Sequence, residues 1–378
     1  PYLTSCYGNA SSMHTFGGRL RRDIDQARQQ IAALLHGEPE EIIFTSGGTE
    51  GDITAIHGAL QAHPEKHHLI TTRVEHPAVR TTCRVMQKRG NRLTELPVDE
   101  LGRLDLHQLE AALTDDTALV TIMWANNETG VVFPVQDIAE LCRAKDILFH
   151  TDAVQAVGKL PIDLQKTPVD LLSLSGHKLH APKGIGAFYV RKGTPLAPLM
   201  TGGHQEFGKR AGTENIAGIV ALGKACELAQ KNLVAENQRV RKLRDRLEQT
   251  LLRDCPDARL NGDPAQRLPN TANISFEFIE GEAILLLMDE KGICASSGSA
   301  CTSGALEPSH VLRAMGVPFT AVHGSIRFSL SRFTTDEEVA FVCREMPPII
   351  KRLRQLSPFS PQKRTVGAPM DRPEQIRL

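Results

Sequence analysis

The chain has no surplus of either charge. Its 378 residues carry 44 Lys+Arg against 44 Asp+Glu. Nucleic acid and anionic membranes are held by a basic excess that releases counterions, so neither is expected as a partner. Long apolar runs are missing too. "AILLLM" falls far short of the ~20 residues that cross a bilayer as a helix. No signal-peptide pattern is visible at the start, and none is expected. The eight cysteines include no CxxC pair and are too sparse for a secreted disulfide framework, so reduced thiols in a cytoplasmic protein are expected. No Cys/His cluster has zinc spacing; His177 and His180 in "HKLH" lack a second pair, so no metal is expected. Neither the GxxxxGK[ST] nor the GxGxxG phosphate signature is present. There is also no initiator Met. The opening "PYLTSCYGNASSMH" reads as the middle of an element, and an N-terminal piece is expected to be missing.

What is present has ordinary globular composition, 41% hydrophobic and 23% charged, with length for two or three domains. From about residue 20 to 200, β-branched runs alternate with helical patterns. "EIIFTS", "HLITTRVE", "TALVTIMWANNE", "ILFHTDAV", "DLLSLSG" and "GAFYVRKG" read as strands. The segments between the first few read as helices, which predicts an α/β fold with a parallel, doubly wound sheet. A long charged helix over 222–254 leads into a second α+β region. The expected division is a large domain over 1–234, a small one over 235–356, and a disordered proline-rich tail over 357–378.

In such a sheet, ligands bind beyond the carboxyl ends of the strands. Those ends carry Gly47-Gly48-Thr49, His76, Asn126-Asn127, Asp152 with Gln155, and His177-Lys178. The glycine turn running into a helix offers backbone N–H groups to an anion. Lys178 and Asp152 have the chemistry that pyridoxal phosphate needs, an amine for a Schiff base and a carboxylate for the ring nitrogen. Lys183, in "APKGIG", is the rival amine. His76 is either a helix boundary before Pro77 or a proton shuttle over the ring. Arg327 lies inside a strand pattern, where a bidentate grip on a substrate carboxylate or a salt bridge would justify its charge. Arg332 is its nearby alternative.

Cys301 sits in "ASSGSACTSGALEP", a Gly/Ser-rich stretch with no large apolar side chain beside it. A thiol on a mobile loop ahead of a helix ("LEPSHVLRAMG") can carry thiolate and move an atom in and out of a crevice. Cys83, Cys142, Cys226 and Cys343 read as packing residues. Cys294 is the chief rival and is expected to be buried at a strand end.

"SSGSACTSG", "SGHKLHAPKGIG", "HTDAVQAVGKLPID", "VEHPAV" and "WANNETG" together resemble the pyridoxal-phosphate cysteine desulfurases, with wording nearest the NifS branch. The resemblance covers residues 7 to 356. It implies a fold-type-I transferase: a large domain with a mainly parallel seven-stranded sheet, plus a small α+β domain. It implies pyridoxal 5'-phosphate on Lys178, with Asp152 at the ring nitrogen, Gln155 at the phenolic oxygen and His76 on the ring. Gly48, Thr49, Ser175 and His177 would complete the phosphate site, joined by Thr213 from the neighbouring subunit of a homodimer. Asn127 would contact cofactor and substrate, and Arg327 the substrate carboxylate. Cys301 would carry the sulfur of L-cysteine as a persulfide, leave L-alanine, and serve at most as a transient Fe–S ligand. An Fe–S scaffold protein, here for nitrogenase metalloclusters, would accept the sulfur. A selenocysteine lyase and a housekeeping Fe–S desulfurase are the alternatives. The pattern departs from the family's "YLDNNATT" start, which is absent, and at Ala10 and Gly51.

Overall fold

The computed structural model describes residues 1–297 and 308–358. Cys301 lies outside the described residues, as does the expected tail beyond Pro358. Seven short strands build the main sheet: β1 (Ile42–Thr45), β2 (His68–Thr72), β3 (Arg92–Leu96), β4 (Thr117–Thr121), β5 (Leu148–Asp152), β6 (Leu171–Ser175) and β7 (Gly186–Val190). Their order is β1-β7-β6-β5-β4-β2-β3. Most are buried along nearly their whole length, their Thr, Ser and His side chains included, because both faces are covered. The helices Leu20–Leu35 and Val135–Ala144 share one core cluster with one face. The helices Gly48–Ala62 and Pro77–Lys88 share another with the opposite face.

The parallel expectation holds for all strands but one. β7 runs antiparallel to both its neighbours, β6 and β1. Only residues 176–185 join β6 to β7, too few for the crossover that a parallel return requires. Gly51, a departure from the family pattern, also has a packing reason. A Cβ there would stand 2.6 Å from Ser173 Oγ of β6, so the helix can lie close to the sheet only with glycine at that point.

A second sheet of β8 (Ala258–Leu260), β9 (Thr271–Phe276), β10 (Ser296–Ser297) and β11 (Ser325–Ser329) has the antiparallel order β10-β11-β9-β8. It packs with the helices Gly281–Asp289 and Asp336–Leu356 around a separate core. The helix Ile216–Asp254 serves both cores: Ile219, Leu222 and Cys226 enter the first, and Val240, Leu243 and Leu247 the second. The boundary expected at 234/235 falls between these two stripes. Val311, Leu312 and Val322, from beyond that boundary, pack with the first core. Cys294 is exposed, not buried as expected. It lies in the connection after Gly281–Asp289, and the strand that follows is only Ser296–Ser297, so among the described residues nothing encloses it. Among the described residues no helix is long and apolar enough to cross a membrane.

Candidate active site

The strand ends converge on one cavity of about 750 Å³. Its wall includes Gly48, Thr49, His76, Asn127, Asp152, Gln155, Ser175, His177, Lys178 and Arg327, ten of the expected site residues. Thr213 is not in this wall; it is exposed in the segment before Ile216–Asp254. Arg332 lines a neighbouring cavity of about 230 Å³ and pairs with Glu236 at 3.4 Å. Lys183 does reach the main cavity.

β1 delivers the chain into the glycine turn. Gly47 is the N-cap of Gly48–Ala62 and brings no side chain to the first-turn N–H groups, which leaves them for a ligand. A Cβ on Gly48 would sit 2.5 Å from Val154 Cγ2, so only glycine allows the turn to close against the loop after β5. Glu50 folds back on the turn, accepting from Ser46 N–H at 2.7 Å, and Arg210 Nε binds its other oxygen at 2.9 Å. Ser175 Oγ and His177 Nδ1 are 2.8 Å apart on the facing turn. Burial, then the charges of Lys178, Lys183 and Lys159, hold the His177 imidazole below its usual range. The ring is therefore a neutral hydrogen-bonding group at neutral pH.

Asp152 ends β5 with its carboxyl buried. Oδ1 accepts from Val154 N–H at 2.9 Å. Burial pushes this acid up, and the nearby Lys178 ammonium pulls it back. Asp52 stands behind it and is also buried; one donor atom each from Asp52, Asp152 and His76 lie within 4.8 Å of one another. Burial and the Asp152 charge push Asp52 well up. Two buried carboxyls this close share a proton more readily than they carry two charges. His76 both caps Pro77–Lys88 and faces the cavity. Its Nδ1 accepts from Ala78 N–H at 3.2 Å, which assigns the ring proton to Nε2. Burial and Lys178 hold it below its usual range, so the ring is neutral.

At the far end, Arg327 reaches in from β11. Nη1 donates to Asn127 O at 2.8 Å and Nη2 to Ser296 Oγ at 3.0 Å. Among the described residues, Arg327 Nε and Asn127 Oδ1 are buried with no hydrogen-bond partner. Such orphaned polar atoms are costly unless a ligand meets them. Asn126, by contrast, is used up inside its own turn, bonding Val74 O and the N–H groups of Glu128 and Thr129. Sequence reasoning missed the buried acids Asp52, Glu75 and Glu128, together with His310, Arg80 and Arg313. Glu75 and Glu128 directly adjoin His76 and Asn127, the one signal that pointed to them. The helix expected over "LEPSHVLRAMG" begins only at His310, because Ser309 after Pro308 serves as its N-cap.

A match to the aminotransferase class-V family model runs over residues 1–342. A curated relative from Nostoc sp., named cysteine desulfurase, is 60% identical over 359 residues, 95% of this chain and 90% of that protein. Cysteine desulfurase NifS of Azotobacter vinelandii is 56% identical over 360 residues, with the same two shares. A solved structure titled NifS-like protein superposes with a TM-score of 0.87 at 37% identity, covering 93% of this chain and 94% of that one.

Proposed function

The chain belongs to the aminotransferase class-V family, as a cysteine desulfurase enzyme, and from that premise we propose that it passes the sulfur of L-cysteine to Cys301 and on to an Fe–S scaffold protein of nitrogenase cluster assembly. The observation that carries this reading is the single cavity holding an amine, a buried acid, a neutral imidazole and an unsatisfied guanidinium–amide pair.

The residues fit pyridoxal phosphate. Lys178 would hold it covalently, and Asp152 would face the ring nitrogen with a carboxyl that burial leaves in need of a cationic partner. Gly48, Thr49, Ser175 and His177 would take the phosphate, with Thr213 of the partner subunit in a homodimer. Gln155 and Asn127 would bond the ring's oxygen, and His76 would lie on its face. When bound, the group supplies an electron sink for charge developing at the substrate Cα. The rest falls to this chain's own residues. Arg327 grips the substrate carboxylate through the Nε–H now orphaned, and Asn127 meets it through its amide Nδ2. Lys178 accepts the Cα proton as a neutral amine. His76 carries its proton on Nε2, toward the cavity. The Cys301 thiolate attacks the substrate sulfur: an S–S bond forms, the C–S bond breaks, and its electron pair stays with Cβ, which takes up a proton. L-cysteine plus the thiol gives L-alanine plus a persulfide, with no outside oxidant.

A protein working on a soluble amino acid in reducing surroundings suits the cytoplasm. The test is mass analysis of the purified holoenzyme after L-cysteine and an alkylating agent. One extra sulfur on the Cys301 peptide supports the reading. Extra sulfur elsewhere, or none, overturns it.

A further inference from the structure

The residue before Cys301 that the structure last describes is Ser297, and the first one after is Pro308. Both flanks are tied to the substrate end of the cavity. On the earlier side, Ser296 Oγ receives Arg327 Nη2 at 3.0 Å. On the later side, Ser309 Oγ donates to Glu128 Oε2 at 2.5 Å while it caps Leu312 N–H at 3.1 Å. His310 adds a third tie, Nε2 to Glu75 O at 2.9 Å. Glu128 and Arg327 are themselves joined: Arg327 Nη1 binds the carbonyl of Asn127, the residue next to Glu128; burial pushes the Glu128 carboxyl up to about 7, while the Ser309 hydrogen bond and then the Arg327 charge work against that rise.

We propose that Glu128 and Arg327 act as one unit that pins the two flanks of the Cys301 segment, Ser309 by Glu128 and Ser296 by Arg327, which makes Glu128 a positioning residue for sulfur transfer. The inference rests on the desulfurase reading. Glu128 lines the same cavity as the expected cofactor groups; it stands on the turn after β4, held there by its own backbone. Asn126 Oδ1 accepts its N–H at 2.9 Å, and Asn273 Nδ2 donates to its carbonyl at 3.1 Å. The backbone is thus fixed without the side chain, and the buried carboxylate is left with Ser309 as its hydrogen-bond donor. A flank held this way keeps the thiol's approach aligned, and misalignment at a reacting atom is costly in rate. The same guanidinium that grips the substrate carboxylate also grips Ser296, so substrate occupancy and the earlier flank are read by one group.

The holoenzyme provides two readouts: the cofactor absorbance change on mixing with L-cysteine, and the rate at which extra sulfur appears on Cys301. In Glu128→Ala and in Ser309→Ala the sulfur rate is expected to fall about tenfold or more, since a charge-assisted bond is lost, while the absorbance change keeps its rate within about twofold. Glu128→Gln keeps an acceptor for Ser309, and Ser309→Thr keeps the hydroxyl and the cap; both are expected to retain the sulfur rate within about threefold. A fall of both readouts together in Ser309→Ala, or an unchanged sulfur rate in both alanine variants, overturns the proposal. A wild-type enzyme that yields neither extra sulfur nor alanine overturns the desulfurase reading and this one with it.

Discussion

Glu206→Gln is a sharp test of how the glycine turn after β1 is held in place. Arg28, on Leu20–Leu35, donates Nη1 and Nη2 to the Glu206 carboxylate at 2.8 and 2.9 Å. Glu206 also accepts from Phe44 N–H of β1 at 2.8 Å, and Arg28 donates to the carbonyl of Ile42. The guanidinium lies over the Phe44 and Phe207 rings, 4.7 and 5.0 Å from their centroids. Arg28 is 3% exposed and Glu206 8%, so water cannot replace either partner. Changing the acid to an amide of the same size leaves a buried charge unmatched, which costs about 3–5 kcal/mol. At about 2–4 °C per kcal/mol for a domain of this size, the melting temperature should drop on the order of 10 °C. β1 runs straight into Gly47, so cofactor affinity should fall with it. Differential scanning calorimetry of cofactor-free and cofactor-bound protein reads both. The double change Arg28→Met with Glu206→Leu removes both charges and should recover most of the loss. A drop below about 3 °C in the single variant, near 1 kcal/mol, would refute the claim that this pair is desolvated and structural.

Three other outcomes follow from the cavity. Asp152→Asn should fold normally and lose activity by a factor on the order of 10² or more, as removal of a preorganised charge does; near-normal alanine production would contradict its role. Gly48→Ala forces a Cβ against Val154; at about 1–3 kcal/mol of overpacking, titration of the cofactor should give roughly tenfold weaker binding, and unchanged affinity would rule out the close approach. Burial pushes the Glu75 carboxyl up to about 8 from 4.5. The native state then keeps a proton that the unfolded chain loses, so stability falls as pH rises through that window. Glu75→Gln lacks this slope. Thermal melts at pH 5 and 8.5 should show the variant gaining on the wild type at the higher pH, and the opposite trend would show that Glu75 is ionised in the fold.

Much of the sheet was legible because buried parallel strands are contiguous apolar runs, and "HLITT" and "LLSLS" could hardly be surface. β3 was not, since its "RLTEL" lies at the sheet edge and mixes charge with apolar side chains. The direction of β7 was hidden because periodicity carries no sense of direction; the short connection after β6 was the available clue. Eight of the ten expected residues in the cavity wall were found from strand-end topology; Arg327 came from a charge inside a strand pattern and Ser175 from the family resemblance. The buried acids Asp52, Glu75 and Glu128 were missed, though the last two adjoin His76 and Asn127. An acid in a sequence reads as surface, and only packing reveals that Glu75 accepts from Thr72 Oγ1 and Met123 N–H deep in the core. Cys294 failed for the converse reason: an apolar-looking "GICA" packs only if a strand or helix carries it inward.

The most direct test of the central claim is product release from L-cysteine by this chain, loaded with pyridoxal phosphate, in the presence of dithiothreitol. The account predicts alanine and sulfide in equal amounts, with both abolished in Cys301→Ala. Alanine without matching sulfide, or turnover that survives loss of Cys301, would contradict it.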